Sequence, residues 1–314
     1  MPATLTGFYI NLDRSTDRDA WMREQLDRLG MTWVRRAPAI DAATLAPRPA
    51  SPLLPGEIAC YASHLAVIRQ APPDAFTLVL EDDTELSPQA AEVLTQAVAG
   101  GLPGTDVLLL ECQHHFSLSH VAALWGAAHK HFLPDASGGV TRRVRGIELM
   151  EAAQFYKWGL PAYVVTPAGR AKLLPLLERG FAEGPQRPID RHIEAAFVAG
   201  ELRGLIAMPF LATTGLRWHG RSTIGNGYRM PGDTLMVIRR LLFAGPIDDA
   251  TAMAQGLSRL PGDPALDMLS VALRQVALMH RAEAQFAAQL IGADGTPRLS
   301  VPAVSPSPSG RGPG

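Results

Sequence analysis

The sequence predicts an α/β protein with a mixed, mainly parallel sheet flanked by helices and an all-helical appendage at the C-terminus. First, the chain opens strand–helix–strand, with an apolar β-rich segment at 6–12, helical spacing over 17–29 and a second strand at 31–37. Such a unit joins two parallel strands by a right-handed crossover. Second, strand and helix patterns keep alternating as far as residue 209. Third, helical patterns follow one another after about residue 230 with no strand between them.

The elements that follow this opening are predicted from local signals. A helix over 58–70 starts at Pro55-Gly56-Glu57 and is stopped by a Pro-Pro pair. The segment FTLVL at 76–80 is continuously apolar, which is typical of a central strand buried on both faces. Residues 111–158 are expected to be irregular apart from an Ala-rich helix near 120–129. Further strands are expected at 106–110, 163–166 and 205–209, and further helices at 88–99, 167–179 and 188–199.

The 314 residues are expected to divide into three regions. The α/β domain covers 1–230, and a helical extension covers 231–292. The last segment, 293–314, is rich in Ser, Pro and Gly, a composition typical of a disordered tail.

Composition excludes several classes of protein. Lys and Arg number 29 and Asp and Glu number 30, so the net charge of −1 gives no electrostatic reason to expect a nucleic-acid partner. The two cysteines, Cys60 and Cys112, are too few for a disulfide framework or a four-thiolate metal site. We expect both to be reduced packing residues.

The chain carries no recognisable targeting or membrane-spanning segment. Its first residues lack the charged-then-apolar pattern of a secretory signal, and no window approaches the about 18 apolar residues that span a bilayer. We therefore expect a cytoplasmic protein. The segment 234–243, TLMVIRRLLF, places Arg239 and Arg240 among apolar residues. This pattern favours a helix packed on its own domain, with peripheral contact to the inner membrane as the alternative.

The sharpest feature is the acidic motif, Glu81-Asp82-Asp83, directly after the apolar strand at 76–80. The carboxyl ends of strands in an open α/β sheet border the ligand crevice. Adjacent carboxylates raise one another's pKa unless a cation lies between them, and Mg²⁺ or Mn²⁺ bound to such oxygens usually bridges to substrate phosphates. The motif therefore favours a metal site. The alternative is a solvated turn that caps the next helix.

Three further segments carry candidate residues. INLDRSTDR places Arg14 and Arg18 four apart at a helix start that favours anions, although an ordinary surface helix would look the same. Ser63 and His64 lie in the middle of a helix that otherwise looks buried, where a core histidine is the plain interpretation. Asp190 stands at another helix start, where an acid is by default a cap.

Together and in this order, five segments resemble glycosyltransferase family 25, which includes bacterial lipooligosaccharide galactosyltransferases and the collagen galactosyltransferases. The resemblance covers roughly residues 6–224 and implies a GT-A-like, Rossmann-like fold. It further implies a UDP-sugar donor, a divalent cation (Mn²⁺ or Mg²⁺) and inversion at the anomeric carbon. The segments are INLDRSTDR, PGEIACYASHLAVIR, LVLEDD, AYVVTPAGRAKLL and PIDRHI.

The resemblance matches Glu81, Asp82 and Asp83 to the family's acidic motif, where a metal–diphosphate complex would be held, and Asp190 to an Asp of a later block. From the chemistry of sugar transfer we assign Asp83, with Glu81 or Asp82, to the metal and Asp190 to the general base, with Glu57, Glu148 and Glu151 as alternatives. The family's terminal block is matched only by RSTIG at 221–225. The residues that would contact the donor and metal complex are Asn11, Leu12, Arg14, Arg18, Glu57, Ser63, His64 and Asp82.

The function that these implications favour is a metal-dependent inverting hexosyltransferase. It would move a hexose, with galactose ahead of glucose, from a UDP-sugar to a glycan or glycolipid such as lipopolysaccharide core. An alternative is a catalytically inactive relative that acts as a binding or assembly module through its C-terminal helices. A nucleotidyltransferase is disfavoured because INLDRSTDR has no Gly-rich loop.

Overall fold

The structure is a computed structural model of the chain. It describes residues 4–46, 49–114, 118–133, 143–218 and 238–246. The RSTIG segment, the tail predicted at 293–314 and most of the predicted helical extension lie outside these residues.

Thirteen strands and seven helices make up the described part of the chain, together with a 3₁₀ turn at Leu216–Trp218. The strands are β1 Leu5–Asn11, β2 Val34–Pro38, β3 Phe76–Glu81, β4 Thr84–Leu86, β5 Val107–Leu109, β6 Gln113–His114, β7 Phe132–Leu133, β8 Arg143–Val144, β9 Glu148–Glu151, β10 Tyr156–Trp158, β11 Ala162–Val165, β12 Gly204–Met208 and β13 Ala212–Thr214. The helices are α1 Thr16–Arg28, α2 Pro55–Gln70, α3 Ala90–Ala99, α4 Leu118–His129, α5 Ala152–Phe155, α6 Pro167–Ala182 and α7 Ile189–Val198.

Seven of the strands form one central sheet in the order β2-β1-β3-β11-β5-β12-β9. Five of them run in the same direction, whereas β11 and β9 run against their neighbours. The predicted opening unit is present, because β1 and β2 are parallel neighbours joined through α1. The predicted fold class, a mainly parallel sheet flanked by helices, is confirmed.

The prediction of an irregular segment at 111–158 is wrong in part. β9 lies within it and pairs antiparallel with β12, which makes it the edge of the central sheet. The antiparallel ribbon of β4 and β13 was not predicted either. These strands have only three or four residues, which is too short for an alternating pattern to stand out from the surrounding turns.

The central sheet is covered on both faces, which explains the continuous apolar run in β3. Val79 packs in a cluster with residues of α2, α6 and α7, whereas Leu78 and Leu80 pack in a second cluster with α1 and α3. Successive side chains of a strand point to opposite faces, so a strand buried on both is apolar at almost every position, and Thr77 is the polar exception among the buried residues of β3. β3 is thereby fixed at the centre, and its carboxyl end is the point where the acidic motif begins.

Residues 238–246 pack into this same core. Ile238, Leu242 and Phe243 are buried, and the backbone N–H of Phe210 donates to the carbonyl of Leu242 at 2.8 Å. Their neighbours Arg239 and Arg240 are only 5% and 1% exposed. The charged side chains of this segment therefore point inward, onto their own domain, as the favoured interpretation expected. No helix among the described residues is long and apolar enough to cross a bilayer.

Candidate functional site

The candidate site forms where β1 and β3 end side by side. The two strands are parallel, with Ile10 in register with Glu81. Asn11 and Asp82 therefore leave the sheet together, next to the start of α1. The sheet topology thus brings the first and third of the predicted segments to one edge, as their positions after parallel strands indicate.

Both carboxylate oxygens of Asp82 accept hydrogen bonds from other side chains. Its Oδ2 accepts a hydrogen bond from Asn11 Nδ2 at 2.8 Å, and its Oδ1 accepts one from the Arg18 guanidinium at 2.7 Å. Burial raises the pKa of Asp82, while the charge and hydrogen bonds of Arg18 and Asn11 oppose that rise. Asn11 is held in turn by Arg36, whose Nε donates to Asn11 Oδ1 at 2.8 Å. Asp82 therefore ties α1 to the end of β3.

Arg14 and Arg18 have different environments, although both were expected on one helical face. α1 begins only at Thr16, so Arg14 lies in the preceding turn and the four-residue helical spacing does not apply. Arg14 is exposed and forms an ion pair with Asp41. Arg18 is 6% exposed and lies over the Trp218 ring, 5.2 Å from its centroid.

Asp83 is the acid of the motif with a buried carboxylate oxygen that makes no hydrogen bond to the described residues. Its Oδ1 is buried with no hydrogen-bond partner among the described residues, and its Oδ2 is 3.5 Å from the Arg18 guanidinium. Burial, followed by the charges of Glu81 and Asp82, raises the pKa of Asp83 to about 7. A buried carboxylate oxygen without a partner is costly unless it binds a proton or a cation. Of the three acids, Asp83 is thus the one best placed to hold a cation.

Glu81 faces helix α2. Its Oε1 lies 3.5 Å from Nε2 of His64, and His64 is 1% exposed. The other ring nitrogen of His64, Nδ1, lies 3.0 Å from the hydroxyl of Tyr163 on β11. Of the predicted residues on α2, His64 is the one seen in contact with the acidic motif.

The other predicted residues of α2 bond to the backbone. Glu57 Oε2 accepts from the N–H of Leu54 at 2.9 Å, which caps α2. Ser63 Oγ donates to the carbonyl of Ala59 at 2.7 Å and accepts from the N–H of Ile40 at 2.8 Å, so it attaches α2 to the loop after β2.

A cavity of about 410 Å³ opens beside the end of β1. Its lining includes Leu12, Asp13, Ile40, Asp41 and Thr44. The carbonyl of Leu12 accepts from the N–H of Ser15 at 2.9 Å, which shapes the turn into α1. The volume is within the range typical of small-molecule sites.

Asp190 lies in the first turn of α7 but does not act as its N-cap, which is Pro188. Instead, Asp190 Oδ2 accepts from the N–H of Gly159 at 2.9 Å, and Oδ1 accepts from the N–H of Arg191 at 2.7 Å. Burial raises the pKa of Asp190, the two backbone hydrogen bonds oppose the rise, and the charge of Glu81 adds to it. The negative charge of Glu81 therefore adds to the effect of burial on the pKa of Asp190.

The alternative bases have partners elsewhere. Glu148 forms an ion pair with Lys130, and Glu151 accepts from Arg203 at 2.8 Å. Both belong to β9, which three strands of the sheet separate from β3. Glu57 caps α2. Asp190 is thus the candidate base whose pKa responds to Glu81.

A buried ion pair near the motif was missed by the sequence argument. Glu111 is fully buried after β5 and pairs with Arg239, and Thr213 Oγ1 donates to the same Glu111 oxygen at 3.2 Å. Arg239 also acts on Asp83, whose pKa it lowers against the larger effect of burial. A signal was available, because LLLEC resembles LVLED in placing an acid directly after a buried strand.

Comparison with known proteins gives one family. The family described as Glycosyltransferase family 25 (LPS biosynthesis protein) matches residues 5–182, which is more than half of the chain. The matched range contains the whole acidic motif and α2, and it ends before Asp190. No curated protein matches the chain. With this match and the fold described above, the chain belongs to glycosyltransferase family 25, a family of LPS biosynthesis proteins.

Proposed function

We propose that this glycosyltransferase is metal-dependent and inverting, and that it moves a hexose, galactose first, from a UDP-sugar to a glycan or glycolipid acceptor such as lipopolysaccharide core. The observation that carries the proposal is the buried Oδ1 of Asp83, which has no hydrogen-bond partner in the part of the chain that the structure describes and lies two residues from Glu81. Glu81 is the last residue of β3 and Asp83 follows it, at the carboxyl end of a strand, where open α/β sheets border the ligand crevice.

Asp83 and Glu81 would hold Mn²⁺ or Mg²⁺. Hard divalent cations prefer carboxylate oxygens, and they usually bind through one or two carboxylates together with substrate phosphates. Two ligands are therefore enough, and Asp82 keeps its hydrogen bonds to Asn11 and Arg18. When bound, such an ion neutralises the charge that develops on a diphosphate leaving group.

The cavity beside Leu12 is the proposed pocket for the nucleotide of the donor. The guanidinium of Arg18 donates a hydrogen bond to Asp82 and lies over the Trp218 ring, so we assign Arg18 to holding the acidic motif in place. Arg14 is exposed and pairs with Asp41, which lines the cavity. We assign Arg14 to the diphosphate, because an exposed guanidinium can exchange one anionic partner for another at little cost.

Asp190 is the proposed general base, which takes the proton of the acceptor hydroxyl as that oxygen attacks the anomeric carbon. A base works best when its pKa is near the working pH, and burial shifts the pKa of Asp190 upward. The hydrogen bonds from Gly159 and Arg191 fix the orientation of its carboxylate. A fixed orientation contributes to rate, because the attacking group must be aligned with the reacting carbon.

A panel of UDP-sugars with Mn²⁺ tests the proposal, because release of UDP by hydrolysis needs no acceptor. We expect the highest release from UDP-galactose, and a loss on the order of 100-fold in Asp83→Asn because a metal ligand is removed. Glu178→Gln is the matched control, since Glu178 pairs with Arg69 at the surface, 2.9 Å away, and its loss should leave the rate within about twofold. Undiminished turnover in Asp83→Asn would refute the metal assignment. Mn²⁺-dependent binding of UDP without turnover of any donor would instead support the inactive binding module.

A further inference from the structure

Three side chains of different chemistry meet between α2 and the end of β3. The ligand atoms of Cys60, His64 and Glu81 all lie within 4.8 Å of one another. Cys60 and His64 are four residues apart on α2, so both project from one face of the helix. Glu81 reaches the same place from the sheet. A thiol, an imidazole and a carboxylate thus converge on one point.

The spacing suits one small cation. Zn²⁺ binds nitrogen and oxygen at about 2.0–2.2 Å and sulfur at about 2.3 Å in tetrahedral geometry, which separates neighbouring ligand atoms by about 3.3–3.7 Å. His64 Nε2 and Glu81 Oε1 are 3.5 Å apart. These two atoms already have the separation that a shared tetrahedral ion requires.

His64 is also held in the orientation of a metal ligand. Its Nδ1 lies 3.0 Å from the Tyr163 hydroxyl, and the two rings stack with centroids 5.8 Å apart. A histidine that binds metal through one ring nitrogen almost always makes a hydrogen bond through the other, which fixes the tautomer. With the Nδ1–H donating to Tyr163, the lone pair of Nε2 points toward Glu81.

We infer that Cys60, His64 and Glu81 form a binding site for Zn²⁺, separate in its chemistry from the proposed Mn²⁺ or Mg²⁺ site. Sulfur and imidazole ligands select Zn²⁺ over the hard cations that carboxylates alone prefer. Binding releases the thiol proton of Cys60 to solvent and forms a zinc–thiolate bond. Three protein ligands leave a fourth position for water or another small ligand. The inference goes beyond the proposed sugar transfer and holds whether or not the chain turns over a UDP-sugar.

Glu81 belongs to both sites. Zn²⁺ bound here holds the Glu81 carboxylate toward α2. Glu81 is then less available as the second ligand, beside Asp83, of a hard cation. Micromolar Zn²⁺ is therefore expected to weaken Mn²⁺ binding to the wild-type chain, an effect that can be measured without any sugar donor.

The test uses Co²⁺ as a spectroscopic probe on the full chain after treatment with a chelator. We expect a near-ultraviolet thiolate-to-cobalt band, which Zn²⁺ abolishes on displacing Co²⁺. In Cys60→Ala the band is lost and the affinity for Zn²⁺ falls on the order of 100-fold. The matched variant Cys112→Ala keeps both, because Cys112 is buried after β5 and is not one of the three converging residues. Tyr163→Phe should weaken Zn²⁺ by about 10–100-fold through the orientation of His64.

A second measurement needs no variant. Stoichiometric Zn²⁺ should slow alkylation of Cys60 in the wild-type chain by about tenfold or more, read by mass spectrometry. A cobalt complex without a thiolate band, an equal Zn²⁺ affinity in Cys60→Ala, or an unchanged alkylation rate would each overturn the inference. Because these readouts are of binding, they fail independently of the sugar-transfer assay.

Discussion

Replacing Asp83 by Asn should make the metal-free protein more stable while it removes the proposed metal ligand. The ordinary pKa of an aspartate is 3.8, and burial beside Glu81 and Asp82 raises that of Asp83 to about 7. Between these two values the folded chain keeps a proton that the unfolded chain has lost, so stability falls as the pH rises from about 4 to about 7. A difference of about 3 units at 1.36 kcal/mol each corresponds to about 4 kcal/mol as an upper estimate.

The assay is urea unfolding in the presence of a chelator at pH 5 and at pH 8. Asp83→Asn carries no charge at either pH, so its gain in unfolding free energy over the wild type should be about 2–4 kcal/mol at pH 8 and smaller at pH 5. Adding Mn²⁺ at pH 8 should stabilise the wild type and leave the variant unchanged. A variant that is less stable than the wild type at pH 8, or a difference that does not change with pH, would refute the reasoning.

Three other predictions follow from the buried charges. Arg18→Gln removes the guanidinium that pairs with Asp82 and should lower the unfolding free energy by about 3–5 kcal/mol. Arg14→Gln, at the surface, should change the unfolding free energy by less than about 1 kcal/mol. Equal losses for the two variants in urea titrations would contradict this. Arg239→Met should lower the unfolding free energy by about 3–5 kcal/mol, and adding Glu111→Met should restore most of that loss. A double variant no more stable than Arg239→Met alone would count against a simple charge pair. Asp190→Asn should lower kcat by about 10²–10⁴ with little change in the KM of the donor, and an unchanged kcat in steady-state assays would remove Asp190 from the base role.

The position of the candidate site could be predicted from the sequence, because its determinants are local. A continuous apolar run marks a central strand, and the acids that follow it must lie at the carboxyl edge of a parallel sheet. The strand–helix–strand opening places Asn11 at the same edge in the same way. Both inferences depend on residues that are neighbours in the chain.

The different environments of Asp82 and Asp83 within the motif could not be predicted in this way. Asp82 and Asp83 are adjacent and chemically identical, yet one is held by Asn11 and Arg18 while the other keeps a buried oxygen without a partner among the described residues. That difference arises from how the turn after β3 meets α1. The exposed Arg14 and the buried Arg18 are likewise separated by where α1 begins, a boundary that residue type predicts only to within a few positions.

The contact between Glu111 and Arg239 also has a consequence for how the protein is made. The two residues are 128 positions apart, and both are buried when paired. At about 5–20 residues per second, a ribosome needs roughly 6–26 seconds to pass from one to the other. During that interval Glu111 has been synthesised, and Arg239, the cation that pairs with it in the fold, has not. The Glu111–Arg239 pair can therefore form only after a short stretch made long after the acidic motif itself.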